Sequence, residues 1–371
     1  MNCRLIVLIA LLSGLVSAAS SSSAQDGAPS SDRNVIYITW DGFRWQEFFG
    51  GAQEVYISKD AGVADVEGVK QRFWREDPRE RRETLLPFVW TVMAQQGQIF
   101  GDPAKNAAAK IQNAHKFSYP GYSEMFCGFA DDQRIASNGK FPNPNVTVLE
   151  FLNQRPGFEG KVAGIATWDV FPFILNESRS KIYIHAGITP IPGESLSDRQ
   201  RMLNEMIADT VLLWPGNQID AITIQAAREY LLLKKPRVLF IGLGETDEWG
   251  HGRRYDRYLN AAHQADDFLR RLWALLQSLP EYKDKTTLLI APDHGRGGTI
   301  RDWTDHNAKV EGAEFVWMGA LGPITPAMGV RSDVDVTLSQ IAATIALVVG
   351  EDFNAASPKS APPLPGIFKA K

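Results

Sequence analysis

Seven side chains carry the chemistry that this sequence can perform: Asp41, Ser118, Asp247, His251, Asp293, His294 and His306. Most stand where an apolar run gives way to a Gly-rich turn: ITWDG, GLGETDEWGH, APDHG and the TDH that follows it. Carboxylate oxygens and imidazole nitrogens together suit zinc best, then manganese or another first-row ion. With one hydroxyl added, the set predicts a single site holding two divalent ions side by side. That arrangement attacks phosphorus or sulfur esters. Asp247 and His251 are four residues apart, so on a helical turn both face one ion. Asp293 and His294 are adjacent, and at a strand exit both can face one pocket.

The elements that must position them alternate. Val35 to Thr39 is a β-branched and aromatic run that reads as the first core strand, with Asp41 at its carboxyl end. Lys161 to Ala166, Val238 to Leu243 and Thr287 to Ala291 read as further buried strands, and Glu314 to Met318 as a later one. Helical spacing runs over Thr84 to Gln96, Ser197 to Leu213, Asp220 to Leu233 and Tyr255 to Leu279, with a closing helix over Asp333 to Val349. The alternation predicts a three-layer α/β/α fold with a mostly parallel central sheet. Ligands of such sheets gather at the carboxyl ends of the strands, where Asp41, Asp247 and Asp293 fall. Gly51 to Arg82 is polar, lacks a clean period and reads as a surface insertion.

At 371 residues, 44% hydrophobic and 22% charged, the chain has ample material for a buried core. A net charge of −4 gives no basic footprint for nucleic acid. One positive charge, an apolar run from Leu5 to Val16 and small residues at Val16-Ser17-Ala18 resemble a secretory signal peptide. Residues 1–24 are therefore expected to be a signal and leader, with no membrane span after its removal. Residues 25–371 would form one catalytic domain with a cap insertion around 141–236. The protein is expected in the periplasm or outside the cell. Cys3 would leave with the signal, so Cys127 has no disulfide partner and reads as a small buried hydrophobe.

With these motifs in order, the chain resembles the alkaline phosphatase superfamily of metalloenzymes. Asp41 resembles its first metal ligand and Ser118-Tyr119-Pro120 its hydroxyl-x-Pro nucleophile motif. Asp247 with His251, then Asp293-His294-Gly295, resemble its internal ligand motifs, and His306 its last ligand. Val334 to Gly350 is similar to its closing helix. The resemblance implies one ion on Asp247, His251 and His306, and another on Asp41, Asp293, His294 and the Ser118 oxygen. It further implies attack by Ser118 through a covalent phosphoserine. Ser123, the rival hydroxyl, lacks the following x-Pro. The stretch from Gly128 to Asn138 resembles the phosphodiesterase branch, where an asparagine contacts a phosphate oxygen; Asn138 before Gly139 also suits a turn. Lys116, Arg253, Arg254 and Arg296 read either as phosphate binders or as solvated charges. His115, His185 and His263 read as packing or surface residues.

The branch is narrowed by departures. Tyr122 stands where the sulfatase signature needs arginine, and His294 where sulfatases usually have asparagine. The short interval from His294 to His306 is similar to the phosphomutases, including cofactor-independent phosphoglycerate mutase. The expectation is an exported two-metal phosphomonoesterase or phosphodiesterase acting on a small-molecule phosphoester. A phosphomutase or phosphotransferase, a sulfatase-like hydrolase and a non-catalytic metal-binding protein are the alternatives. Trp168, Phe171, Phe173 and Trp214 read as core aromatics or as a stacking surface for substrate.

Overall fold

The computed structural model describes residues 32–368. Its strands are β1 (Asn34–Trp40), β2 (Gln98–Phe100), β3 (Ala109–Lys110), β4 (Val162–Ala166), β5 (Tyr183–Ala186), β6 (Val238–Leu243), β7 (Thr286–Ala291), β8 (Phe315–Val316), β9 (Met318–Leu321), β10 (Gly329–Val330) and β11 (Val336–Thr337). Eight of them form one sheet in the order β10-β2-β9-β7-β1-β6-β4-β5, and β11-β3-β8 form a small second sheet. From β7 to β5 the large sheet is parallel, and β9 runs antiparallel to both β7 and β2.

The central strands are buried end to end, as a parallel sheet covered on both faces requires. Side chains alternate between two cores. Ile36, Ile38, Trp40, Leu239, Ile241, Leu288 and Ile290 face one, packed beneath the long helix Tyr255–Ser278. Val35, Tyr37, Val238, Phe240 and Leu289 face the other, with the helices Ser118–Cys127 and Gln340–Val348. The architecture is the predicted three-layer α/β/α fold. β1 lies between β6 and β7, with Trp40 opposite Leu243 and Thr39 opposite Ala291. That register brings the carboxyl ends preceding Asp41, Asp247 and Asp293 side by side.

Several expectations need correction. Gly51 to Arg82 is no surface insertion: it contains the helix Val66–Phe73 and the start of the helix Pro78–Leu85, and it buries Ala52, Tyr56, Ile57, Val63, Val69 and Phe73 in the first core. The range 141–236, read as a cap insertion, contains β4 and β5 of the large sheet and the covering helix Asp220–Lys234. Glu314 to Met318 splits between two sheets at Trp317, whose indole stacks on Phe48 in the first core at 3.9 Å between ring centroids. The closing helix begins only at Gln340, after β11. The signal-like residues 1–24 lie outside the described residues. Among the described residues, no helix is long and apolar enough to cross a membrane.

Candidate metal centre

Each ligand is placed by the element that ends beneath it. After β1 the chain turns at Gly42, whose φ is +58°. A Cβ there would lie 2.7 Å from Asp247 Oδ1 and 3.0 Å from His294 Cε1, so only glycine suits both conformation and space. The Gly42 amide donates to Asp293 Oδ1 at 3.0 Å. After β6 the helix Glu245–His251 carries Asp247 and His251 on one face. Asp220 holds the start of that helix, accepting from the amides of Gly244 at 2.8 Å and Glu245 at 3.2 Å. The Thr246 hydroxyl donates to the Asp41 carbonyl at 2.6 Å and pins the helix against the end of β1. The Ser118–Cys127 helix has Ser118 as its first residue and aims its amino terminus into the centre.

These elements bring all seven predicted residues together. His294 Nε2 lies 3.4 Å from Asp41 Oδ1, 3.4 Å from Asp293 Oδ2, 3.8 Å from Asp247 Oδ1 and 3.4 Å from Ser118 Oγ. His306 Nε2 is 3.4 Å from Asp247 Oδ1 and 2.9 Å from His251 Nε2, and His251 Nε2 is 3.3 Å from Asp247 Oδ2. Two donor groups emerge, Asp41 with Asp293 and His294, and Asp247 with His294 and His306. His251 reaches the second group from the solvent side, where it is exposed. His294 thus stands at the junction, while the resemblance assigned it to one ion. Asp41 Oδ1 and Asp293 Oδ2 are buried without a hydrogen-bond partner. Orphaned carboxylate oxygens converging on an imidazole nitrogen fit a bound cation.

The electrostatics divide the ligands. Burial disfavours the His294 imidazolium, but the carboxylates of Asp293, Asp41 and Asp247 outweigh it and raise its pKa to about 9. Burial and then the positive charge of His294 hold His306 well below the ordinary value. Burial, reinforced by the Asp41 charge, pushes Asp293 well up. For Asp247 burial is overcome by Arg296, His251 and His306, which hold it well below the usual carboxylate range.

Arg296 is neither a phosphate binder at the surface nor a solvated charge. It is wholly buried and donates to the Asp247 carboxylate, to the Asp247 carbonyl at 2.8 Å and to the Thr304 carbonyl. A Cβ on Gly250 would meet its Cζ at 2.8 Å, so glycine makes its room. Lys116 is also spoken for: its ammonium pairs with Glu314 at 2.8 Å and the Val310 carbonyl at 3.2 Å. Arg253 donates to the carbonyls of Ile300 and Arg301, and Arg254 to Asp256. Ser123 is buried away from the ligands against Cys127 and Asn143. Asn138 is exposed, and its Oδ1 accepts from the Tyr119 amide at 2.9 Å, bracing the first turn of the Ser118 helix. His115, His185 and His263 bond to backbone carbonyls outside the cluster.

Tyr122 has a role that sequence reasoning missed. Its hydroxyl donates to Asp41 Oδ2 at 2.9 Å. The available signal was its position four residues after Ser118, on the same helix face. Of the aromatics, Phe171 is core. Trp214 packs edge-on against Trp249 at 4.8 Å, and Asn217 donates to Glu248, both in the helix that bears Asp247.

The model of the Metalloenzyme superfamily matches residues 205–350, which include Asp247, His251, Asp293, His294 and His306. No curated protein matches the sequence. Among solved structures, the wild type alkaline phosphatase PafA is similar with a TM-score of 0.58 at 9% identity, covering 93% of this chain and 100% of that one. A putative sulfatase from Bacteroides thetaiotaomicron VPI-5482 is similar with a TM-score of 0.55 at 11% identity, covering 92% and 76%. The phosphonate monoester hydrolase SpPMH from Silicibacter pomeroyi is similar with a TM-score of 0.50 at 13% identity, covering 89% and 75%. At such identities the likeness is one of fold. The family match and the donor groups together support the use of divalent metal. A match to the Metalloenzyme superfamily over residues 205–350, on a fold like that of the alkaline phosphatase PafA, is what this chain shares with known proteins.

Proposed function

We propose that the protein is an exported phosphoester hydrolase that binds two divalent cations, zinc by its donor chemistry, and uses Ser118 as nucleophile. Its substrates are small-molecule phosphomonoesters or phosphodiesters. The observation that carries this reading is the position of the Ser118 hydroxyl. It sits at the amino terminus of a ten-residue helix, 3.4 Å from the imidazole where the two donor groups meet. Asp41, Asp293 and His294 would hold one cation beside that hydroxyl, and Asp247, His251 and His306 the other. The cations supply Lewis-acid stabilisation of the Ser118 oxyanion and of the ester oxygens. Attack by Ser118 Oγ, with its proton lost to solvent, forms an oxygen–phosphorus bond and breaks the bond from phosphorus to the leaving oxygen, which takes a proton from water and departs as the alcohol. Water then cleaves the seryl phosphate. The helix amino terminus favours the anionic group arriving there. Export rests on the signal-like residues 1–24.

Hydrolysis of aryl phosphomonoesters and diesters by the mature protein, supplied with zinc or manganese, tests this. Ser118→Ala is expected to abolish turnover, and equal turnover by the two proteins rejects the nucleophile. A phosphotransfer reading is favoured by the short segment between His294 and His306, closed by the Gly297 amide on the Asp305 carbonyl at 3.1 Å. It requires an isomerised or transferred phosphoester product, whereas hydrolysis yields an alcohol with phosphate from a monoester, or an alcohol with a phosphomonoester from a diester.

A further inference from the structure

We infer that Asn113 and Glu124 form a buried clamp that fixes the backbone of Lys116 and, through it, the tautomer of His306 and the presentation of Ser118. The part concerning Ser118 rests on the hydrolase reading; the part concerning His306 stands without it.

Lys116 has φ +57°, a left-handed conformation that is costly for a residue with a side chain. Such strain persists only where the surroundings over-determine it. Here they do. Asn113 Oδ1 accepts from the Lys116 amide at 2.9 Å. Asn113 is fixed in turn by Glu124, which is wholly buried and accepts from Asn113 Nδ2 and the amides of Gln112 and Asn113, each at 2.9 Å. The Ser339 hydroxyl also donates to Glu124, at 2.8 Å.

The strained residue faces the metal centre with its carbonyl. His306 Nδ1 lies 3.1 Å from the Lys116 oxygen and donates to it. That tautomer leaves Nε2 unprotonated, and Nε2 is the atom turned toward Asp247 and His251. Two residues later the chain starts the helix of Ser118, and Glu124 is on that same helix. The clamp therefore closes a ring from Ser118 through its helix to Glu124, Asn113, Lys116 and back. The Lys116 ammonium on Glu314 and Val310 ties the ring to the segment following His306. Neither Asn113 nor Glu124 bonds to a proposed ligand, so both are positioning residues.

The test uses the full mature chain with Asn113→Ala and Glu124→Gln. His306 is read by nitrogen NMR of its imidazole after chelation, and zinc affinity by competition with a chromogenic chelator. In Asn113→Ala the Nδ1–H preference of His306 is expected to be lost and zinc affinity to fall about 10- to 100-fold, the usual cost of removing a partner behind a ligand. With aryl phosphate, kcat is expected to fall while KM changes little. Asn113→Ala combined with Lys116→Gly is expected to regain zinc affinity, because glycine adopts the left-handed conformation without help. A folded Asn113→Ala protein with unaltered His306 tautomer and wild-type zinc affinity overturns the clamp, even where its melting temperature drops. If Asn113→Ala does not fold, Glu124→Gln keeps the side-chain shape and decides the same two readouts. If the wild type cleaves no phosphoester, the hydrolase reading fails, while tautomer and zinc affinity still decide the clamp.

Discussion

His294 lies flat on His306, with ring centroids 3.7 Å apart and planes inclined by 14°. Two imidazolium ions cannot share that stack, and the surrounding charges decide which ring holds a proton. Three carboxylates raise His294 to about 9 against its burial, and burial with the His294 charge drives His306 down. Before a cation binds, His294 is therefore charged at neutral pH and His306 is neutral.

Cation binding must displace that proton. Zinc uptake near neutral pH is expected to release at least one proton, from His294 and from the Asp293 carboxyl that burial pushes up beside it. Calorimetry in two buffers of different ionisation enthalpy measures the number. The folded-state pKa lies above the ordinary 6.5, so the stability it contributes is present below 6.5 and lost as pH rises through about 9. The chelated protein should lose stability across that window, and the zinc-loaded protein much less. A release of no protons at neutral pH excludes His294 as a ligand.

Tyr122 and Asp41 make the second prediction. Burial, then the charges of Asp293 and Asp41, push the Tyr122 hydroxyl well up, so it remains a donor at every working pH. Tyr122→Phe removes that donor and leaves Asp41 Oδ2 buried without its 2.9 Å partner. The expected cost is about 1–3 kcal/mol in denaturant unfolding of the chelated protein. Zinc affinity should drop about tenfold, because the carboxylate is no longer oriented. Unchanged zinc affinity would remove Asp41 from the ligand set.

The candidate site was more legible in the sequence than the packing around it. β1, β6 and β7 are continuous apolar runs, and strand-end carboxylates announce themselves by the Gly-rich turns that follow. The Gly51 to Arg82 segment was misread because its buried residues are spaced irregularly among charges that face water. Trp317 sits within an apparently single strand, yet the chain there passes from one sheet to another, and no local pattern records a sheet change. Arg296 follows a ligand motif, where an arginine suggests anion binding. Its burial depends on room left by Gly42 and Gly250, which are remote in sequence. Partnerships such as Tyr122 with Asp41 are tertiary facts that spacing alone does not specify.

Stability and metal binding should separate at Asp266. This buried carboxylate accepts from the amides of Phe88 at 2.8 Å and Val89 at 2.9 Å, where the π-helical turn Val89–Met93 begins. Asp266→Ala strands both amides and is expected to cost about 1–3 kcal/mol. Burial raises the Asp266 pKa to about 7, so its contribution is fully present below 3.8 and declines as pH rises through 7. The gap between wild type and variant should narrow over that range in denaturant titrations. Zinc affinity should remain at the wild-type value. A parallel loss of zinc would show that the π-helical turn is coupled to the metal centre.

Arg296 tests whether a fixed cation and a bound one share a task. Its guanidinium neutralises Asp247 from beneath, within a site that otherwise gathers three carboxylates. Arg296→Met keeps much of the buried volume and removes the charge. Breaking a buried pair from one side costs about 3–5 kcal/mol, since the remaining charge is left uncompensated. The folded-state pKa of Asp247 lies below its ordinary value, so the stability it provides is present above 3.8 and lost as pH falls through the depressed value. Without Arg296 that depression shrinks, and acid unfolding of the chelated protein should begin at higher pH. Zinc places a new positive charge on the same carboxylate, so the deficit in melting temperature should be smaller in zinc than in chelator. An equal deficit in both would assign Arg296 to packing and to the Thr304 carbonyl, with charge balance playing no part.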